Sequence, residues 1–198
     1  MANTPGREDS QTDAMTALRL RDYAIGLYGR PGVSPACLLL QTRKQIDVNV
    51  LLFAAWAVDA GRAPSAQTIA DAQARVHAWH KDVVRPIRQV RQLLKSGPPP
   101  APSAATDHFR EKLKKLEIES ELIELDCLES CMSSMDIADK NTSEISGRVA
   151  KALTLIVADA GQCAPGEDEA AAILHIATAA QAYAEERAHR ASTPEPRM

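Results

Sequence analysis

Apolar residues recur along this chain at helical spacing and almost nowhere in alternation. From about Ala14 to Tyr28, Leu18, Ile25 and Tyr28 share a face that Tyr23 and Leu27 widen, and Gly29 reads as the end of the helix. After the connection Gly29-Arg30-Pro31-Gly32-Val33, Ser34-Pro35 supplies a cap and a proline at the first helical position. That predicts a short second helix carrying Ala36 to Leu40. Asp47 caps a third predicted helix, to about Ala60, in which Val50, Leu51, Leu52, Phe53 and Trp56 leave no polar face. A helix apolar all round is buried on most sides, so this one is expected at the centre of the N-terminal unit. Ser65 caps a fourth helix with a seam of Ile69, Ala72, Val76, Trp79 and Val83. Pro86 removes a hydrogen bond wherever it sits inside a helix. A break near Lys81-Asp82 is therefore expected, with Asp82 capping a fifth helix; a kinked continuous helix is the alternative.

The stretch SGPPPAPSAAT, residues 96–106, has the composition of a semi-rigid spacer. Beyond it, Asp107 is expected to cap a long helix to about Met135. The segments Glu144 to Ala160 and Glu167 to Arg190, separated by Gly161 and Pro165-Gly166, form a helical hairpin. The predicted architecture is all-α with about seven helices. An N-terminal helical unit covers residues 14–95, a Pro-rich linker 96–106 and a C-terminal helical unit 107–190, with disordered tails at 1–13 and 191–198.

Composition narrows the function classes. Lys plus Arg number 23 against 26 for Asp plus Glu, a net charge of −3 that excludes a strongly basic nucleic-acid binder but not a local basic face. The longest apolar run, Val50 to Val58, is less than half of the roughly 20 residues a membrane span needs. No signal-peptide pattern precedes it. Cys37, Cys127, Cys131 and Cys163 are scattered, without metal-type CxxC spacing, as expected for reduced thiols in a cytoplasmic protein.

The most marked charge feature is the predicted fifth helix. At about 100° per residue, Arg85, Arg88, Arg91 and Lys95 fall in one arc of about 120°, a candidate surface for a partner or an anion. Residues 107–139 are as strongly acidic as residues 75–95 are basic, so intramolecular pairing of the two segments is the competing explanation. No aromatic residue lies between these arginines, which argues against nucleic-acid stacking. His77 and His80 share a helical face but are too few to bind a metal alone; a third ligand would come from Asp71, Asp82 or Cys37. Cys127 and Cys131, four apart, read as small apolar packing, with His175 or His108 as the partners a metal site would need. The turn Arg30 to Ser34, a glycine-containing turn before a helix N-terminus with an arginine beside it, has the elements to hold an anion, but it lacks GxGxxG and the Walker pattern and reads as an ordinary helix–helix turn. Asp47 and Asn49 are explained by a cap and a solvent-facing residue. No catalytic motif is present, so no catalytic residue, metal or cofactor is assigned.

One block is more distinctive than its pieces. Tyr28-Gly29-Arg30-Pro31-Gly32-Val33, Cys37-Leu38 with Gln41, and Asp47-Val48-Asn49 with Leu51-Leu52-Phe53 and Trp56 follow in close order. Trp79, Val83-Val84-Arg85-Pro86 and Leu94-Lys95 continue it. Together they resemble the proteobacterial family known as domain of unknown function 2390, over residues 18 to 95 and more loosely over 107 to 190. The resemblance implies a bacterial cytoplasmic protein and no particular activity. The expected function is a protein-interaction or adaptor module acting on an unknown protein partner or by self-association. The alternatives are an anion or nucleic-acid binder using the basic face, and an enzyme whose site is assembled only in space.

Overall fold

The computed structural model describes residues 18–138 and 144–192. In chain order these form α1 (Leu20–Tyr28), α2 (Val33–Lys44), α3 (Val48–Asp59), β1 (Arg62–Ala63) and α4 (Ala66–Trp79). A π-helical turn (His80–Val84) joins α4 to α5 (Arg85–Leu93), so the two run as one rod. Then come α6 (Ala104–Glu129) with a 3-10 turn (Ser130–Ser134), β2 (Asp136–Ile137), α7 (Ile145–Gly161) and α8 (Glu167–Ser192). The fold is all-α. The one sheet among the described residues is the two-residue antiparallel pair β1–β2, with Arg62 opposite Ile137. No helix among the described residues is long and apolar enough to cross a membrane.

Helix α3 occupies the centre because every residue from Asn49 to Val58 is buried. Its apolar circumference is covered by α1, α2, α4, α6, α7 and α8. Trp56 is 4% exposed, its ring 6.3 Å from that of Phe53, and its indole N–H donates to the Leu18 carbonyl at 2.7 Å. The hydrophobic cluster around α3 draws Leu125 and Leu128 from α6, Leu153 and Ile156 from α7, and Ile173 and Ile176 from α8. Helices on both sides of residues 96–106 thus share one core.

Several element boundaries differ from those expected. Helix α1 begins at Leu20, because Arg19 is extended; residues 14–17 lie outside the described residues. Helix α2 begins at Val33 and extends to Lys44. Gly32, with φ of 79°, precedes it, and a Cβ there would lie 2.2 Å from His175 Nε2 of α8, so left-handed backbone and a close approach both favour glycine. Ser103, not Asp107, caps α6 through a reciprocal box with Thr106, and the α-helix stops at Glu129. Trp79 stands at the edge of the α4 seam, 36% exposed, donating to the Ser120 carbonyl. The tail at 1–13 and all but the first two residues of that at 191–198 lie outside the described residues; Ala191 and Ser192 close α8.

Emptying the Trp56 site should cost about 3–5 kcal/mol. Trp56→Ala is expected to lower the denaturant midpoint accordingly, whereas Trp56→Phe, which loses mainly the bond to Leu18, should cost about 1–2 kcal/mol. An unchanged midpoint for Trp56→Ala would contradict the central placement of α3.

Candidate functional site

The rod formed by α4 and α5 does not break at Lys81-Asp82, and Asp82 caps nothing. His80, Val84 and Arg85 all keep right-handed helical dihedrals. The Pro86 ring has no N–H, and the chain absorbs that loss just before it. The Arg85 N–H bonds to the His80 carbonyl, five residues back, in place of an α-helical partner four back. The widened turn begins at His80, and this residue meets the N-terminus of α3 and the inner stripe of α6.

Three side chains converge there. Asp47 caps α3, one carboxylate oxygen accepting the Asn49 N–H at 2.9 Å. Asn49 is buried rather than solvent-facing, and its side-chain amide donates to Glu124 Oε2 at 2.7 Å. Glu124 lies on the buried stripe of α6 with Glu117, Ser120 and Leu128. His80 Nδ1 stands 3.1 Å from Asp47 Oδ2 and 3.2 Å from Glu124 Oε1. One ring N–H cannot serve both, and neither oxygen has an aligned donor although both are buried.

The electrostatics follow from this crowding. Burial disfavours the charged imidazole, but hydrogen bonds and the charges of Asp47 and Glu124 outweigh it and raise the His80 pKa to about 9. Burial raises the Glu124 carboxyl to about 7, helped by the charge of Asp47 and opposed by His80 and Asn49. Two carboxylates and an imidazole in this arrangement can share protons or hold a cation.

Next to this cluster, α5 lies on α6 through opposite charges. Arg88 Nε is 2.8 Å from Glu117 Oε1, its Nη2 contacts Glu121, and Arg91 contacts both oxygens of Glu117. Burial would raise the Glu117 pKa, but the hydrogen bonds and charges of Arg91 and Arg88 hold it below the usual carboxylate range. Of the four cations on the predicted basic face, Arg88 and Arg91 therefore face acids of the same chain, while Arg85 and Lys95 are exposed.

Two cavities flank the ion pairs and share Gln41, Arg88 and Gln92. One, of about 290 Å³, is polar and is lined by His80, Gln45 and Arg85. The other, of about 480 Å³, is mostly apolar and lies between α1–α3 and α5–α6, with Ile25, Leu38, Leu52, Ile118 and Leu122 on its walls.

Other residues singled out in the sequence lie elsewhere. His77 is exposed, and none of Asp71, Asp82 or Cys37 joins His80 in its cluster. Cys127 and Cys131 are free, half-buried thiols, and Cys37 is buried with its pKa raised by burial to about 12. Arg30 pairs with Glu186 and lies over the Tyr183 ring, 4.7 Å from its centroid. The sequence reasoning missed Glu124. The available signal was weak: Glu124 stands beside Leu125 and one turn before Leu128, but it shares its face with Glu117 and Ser120, so that face reads as polar.

A family model described as "Protein of unknown function (DUF2390)" matches residues 19–128, more than half of the chain, which takes in Asp47, His80 and Glu124. No curated protein and no solved structure matches the chain.

The cluster makes stability depend on pH. The His80 contribution is complete below its unfolded value of 6.5 and disappears as pH rises through about 9. Glu124 favours its neutral form, so its contribution is complete below 4.5 and disappears as pH rises through about 7. In chelator-containing buffer, the unfolding free energy is expected to fall by on the order of 5 kcal/mol between about pH 5 and pH 9. Glu124→Gln should flatten the lower half of that fall. A wild-type profile that is level or rising across the window would contradict the described pairing.

Proposed function

The chain belongs to the DUF2390 family, whose description names no activity, and we propose from the geometry that it is a protein-interaction module receiving apolar side chains of a partner between α1–α3 and α5–α6. The observation that carries this reading is the apolar groove itself. Ile25, Leu38 and Ile118 on its walls are 61%, 46% and 47% exposed, although the chain buries all sides of α3. Contiguous exposed apolar surface beside a cavity is characteristic of an interaction site. Lys114 stands at the same groove, while Arg88 and Arg91 there face Glu117 and Glu121, so the fitting partner is an amphipathic helix with an acidic residue placed to meet Lys114 beside its apolar anchors.

An anion or nucleic-acid interface on Arg85, Arg88, Arg91 and Lys95 is the weaker reading. It would compete with Glu117 and Glu121 for Arg88 and Arg91.

Photo-crosslinking separates the readings. A photoreactive residue at Ile118 should give a discrete protein adduct in the native host. The same residue at Leu174, exposed on α8 away from the groove, should not. Leu38→Asp should abolish the Ile118 adduct while leaving the melting temperature within a few degrees, since Leu38 is already half exposed. Equal crosslinking at both positions, or an adduct unaffected by Leu38→Asp, would contradict the groove as the docking surface.

A further inference from the structure

We propose that Asp47, His80 and Glu124 form a binding site for one first-row divalent cation, of the Mn2+ or Zn2+ class, separate from the apolar groove. The three groups offer Oδ2, Nδ1 and Oε1, all within 4.8 Å of one another. Ligands about 2.1 Å from such a cation stand about 3.0 Å apart along an octahedral edge and about 3.4 Å along a tetrahedral one. The separations of 3.1 and 3.2 Å from Nδ1 to the two oxygens lie within that range.

The surroundings orient the ligands. Asn49 holds one oxygen of each carboxylate, Asp47 through its backbone N–H and Glu124 through its side-chain amide. The other oxygen of each faces His80 with no aligned donor, and the Glu124 side chain is fully buried. Fixing a carboxylate through its second oxygen is what an outer-shell partner does at a metal site. Two carboxylates and a neutral imidazole carry a charge of −2, which a single divalent cation neutralises without leaving a net buried charge. Of the three ligands, His80 alone lines the polar cavity of about 290 Å³, so the cation would be held by otherwise buried oxygens beside that cavity. A His-and-carboxylate donor set suits Mn2+ and Zn2+ and does not select copper(I), which prefers sulfur.

The test uses the full chain, stripped with chelator and titrated with Mn2+, an ion that avoids the thiols of Cys127 and Cys131. Loss of the free-ion electron paramagnetic resonance signal should report one site per chain. Pulsed spectra should show hyperfine coupling from one directly bound nitrogen. Asp47→Asn, Glu124→Gln and His80→Gln should each weaken binding by at least about tenfold, and His80→Gln should remove the nitrogen coupling. Asparagine keeps the α3 cap, so Asp47→Asn separates loss of a ligand from loss of fold. Glu119→Gln, exposed on the same helix, should leave binding unchanged. No binding at about 1 mM Mn2+ or Zn2+ would overturn the site. So would binding that survives all three substitutions.

Discussion

A helix with no polar face imposes the constraint on which the rest of this structure depends. From Asn49 to Val58, α3 has nothing to present to water, so it must be covered on every side. The chain on both sides of residues 96–106 is recruited to that task, with α6, α7 and α8 supplying Leu125, Leu153 and Ile176 to the same core as α1, α2 and α4. Fully burying one large apolar side chain is worth about 1.5–3 kcal/mol, and α3 buries several.

The polar features sit where this covering layer meets the N-terminus of α3. The orphan N–H groups of a helix N-terminus need acceptors, and Asp47 supplies one. Placing α6 beside that end brings Glu124 within reach of Asn49. The rod of α4 and α5 crosses the same point, and its π turn sets His80 between the two carboxylates. A second set of charges, Arg88 and Arg91 with Glu117 and Glu121, ties α5 to α6 just beyond.

Local signals in the sequence were sufficient for the elements whose stability is local. The apolar run of α3 and its Asp47 cap, the Ser65 cap of α4 and the final hairpin can be read from periodicity and capping residues alone. The opposite charges of α5 and α6 were visible as well, because each is confined to one segment. The cluster was not, because its members lie 33 and 44 positions apart and meet only after the core has formed. Two clues pointed to it. The α4 seam continues without a stop signal up to Pro86, which favours a bulged helix over a broken one. Glu124 stands beside Leu125 and one turn before Leu128, and an acid flanked by core leucines needs a partner. The α6 cap was assigned to Asp107 because the box at Ser103 is contained in a proline-rich stretch that reads as linker.

A pH titration of the His80 ring by NMR, on the chelator-treated protein, tests most directly whether α3, the π turn and α6 meet at one cluster. With Asp47 and Glu124 both beside Nδ1, His80 should titrate near 9, well above the ordinary value of 6.5. Asp47→Asn and Glu124→Gln should each move it downward. An unperturbed titration near 6.5, unmoved by either substitution, would contradict the assembly of the three elements around that residue.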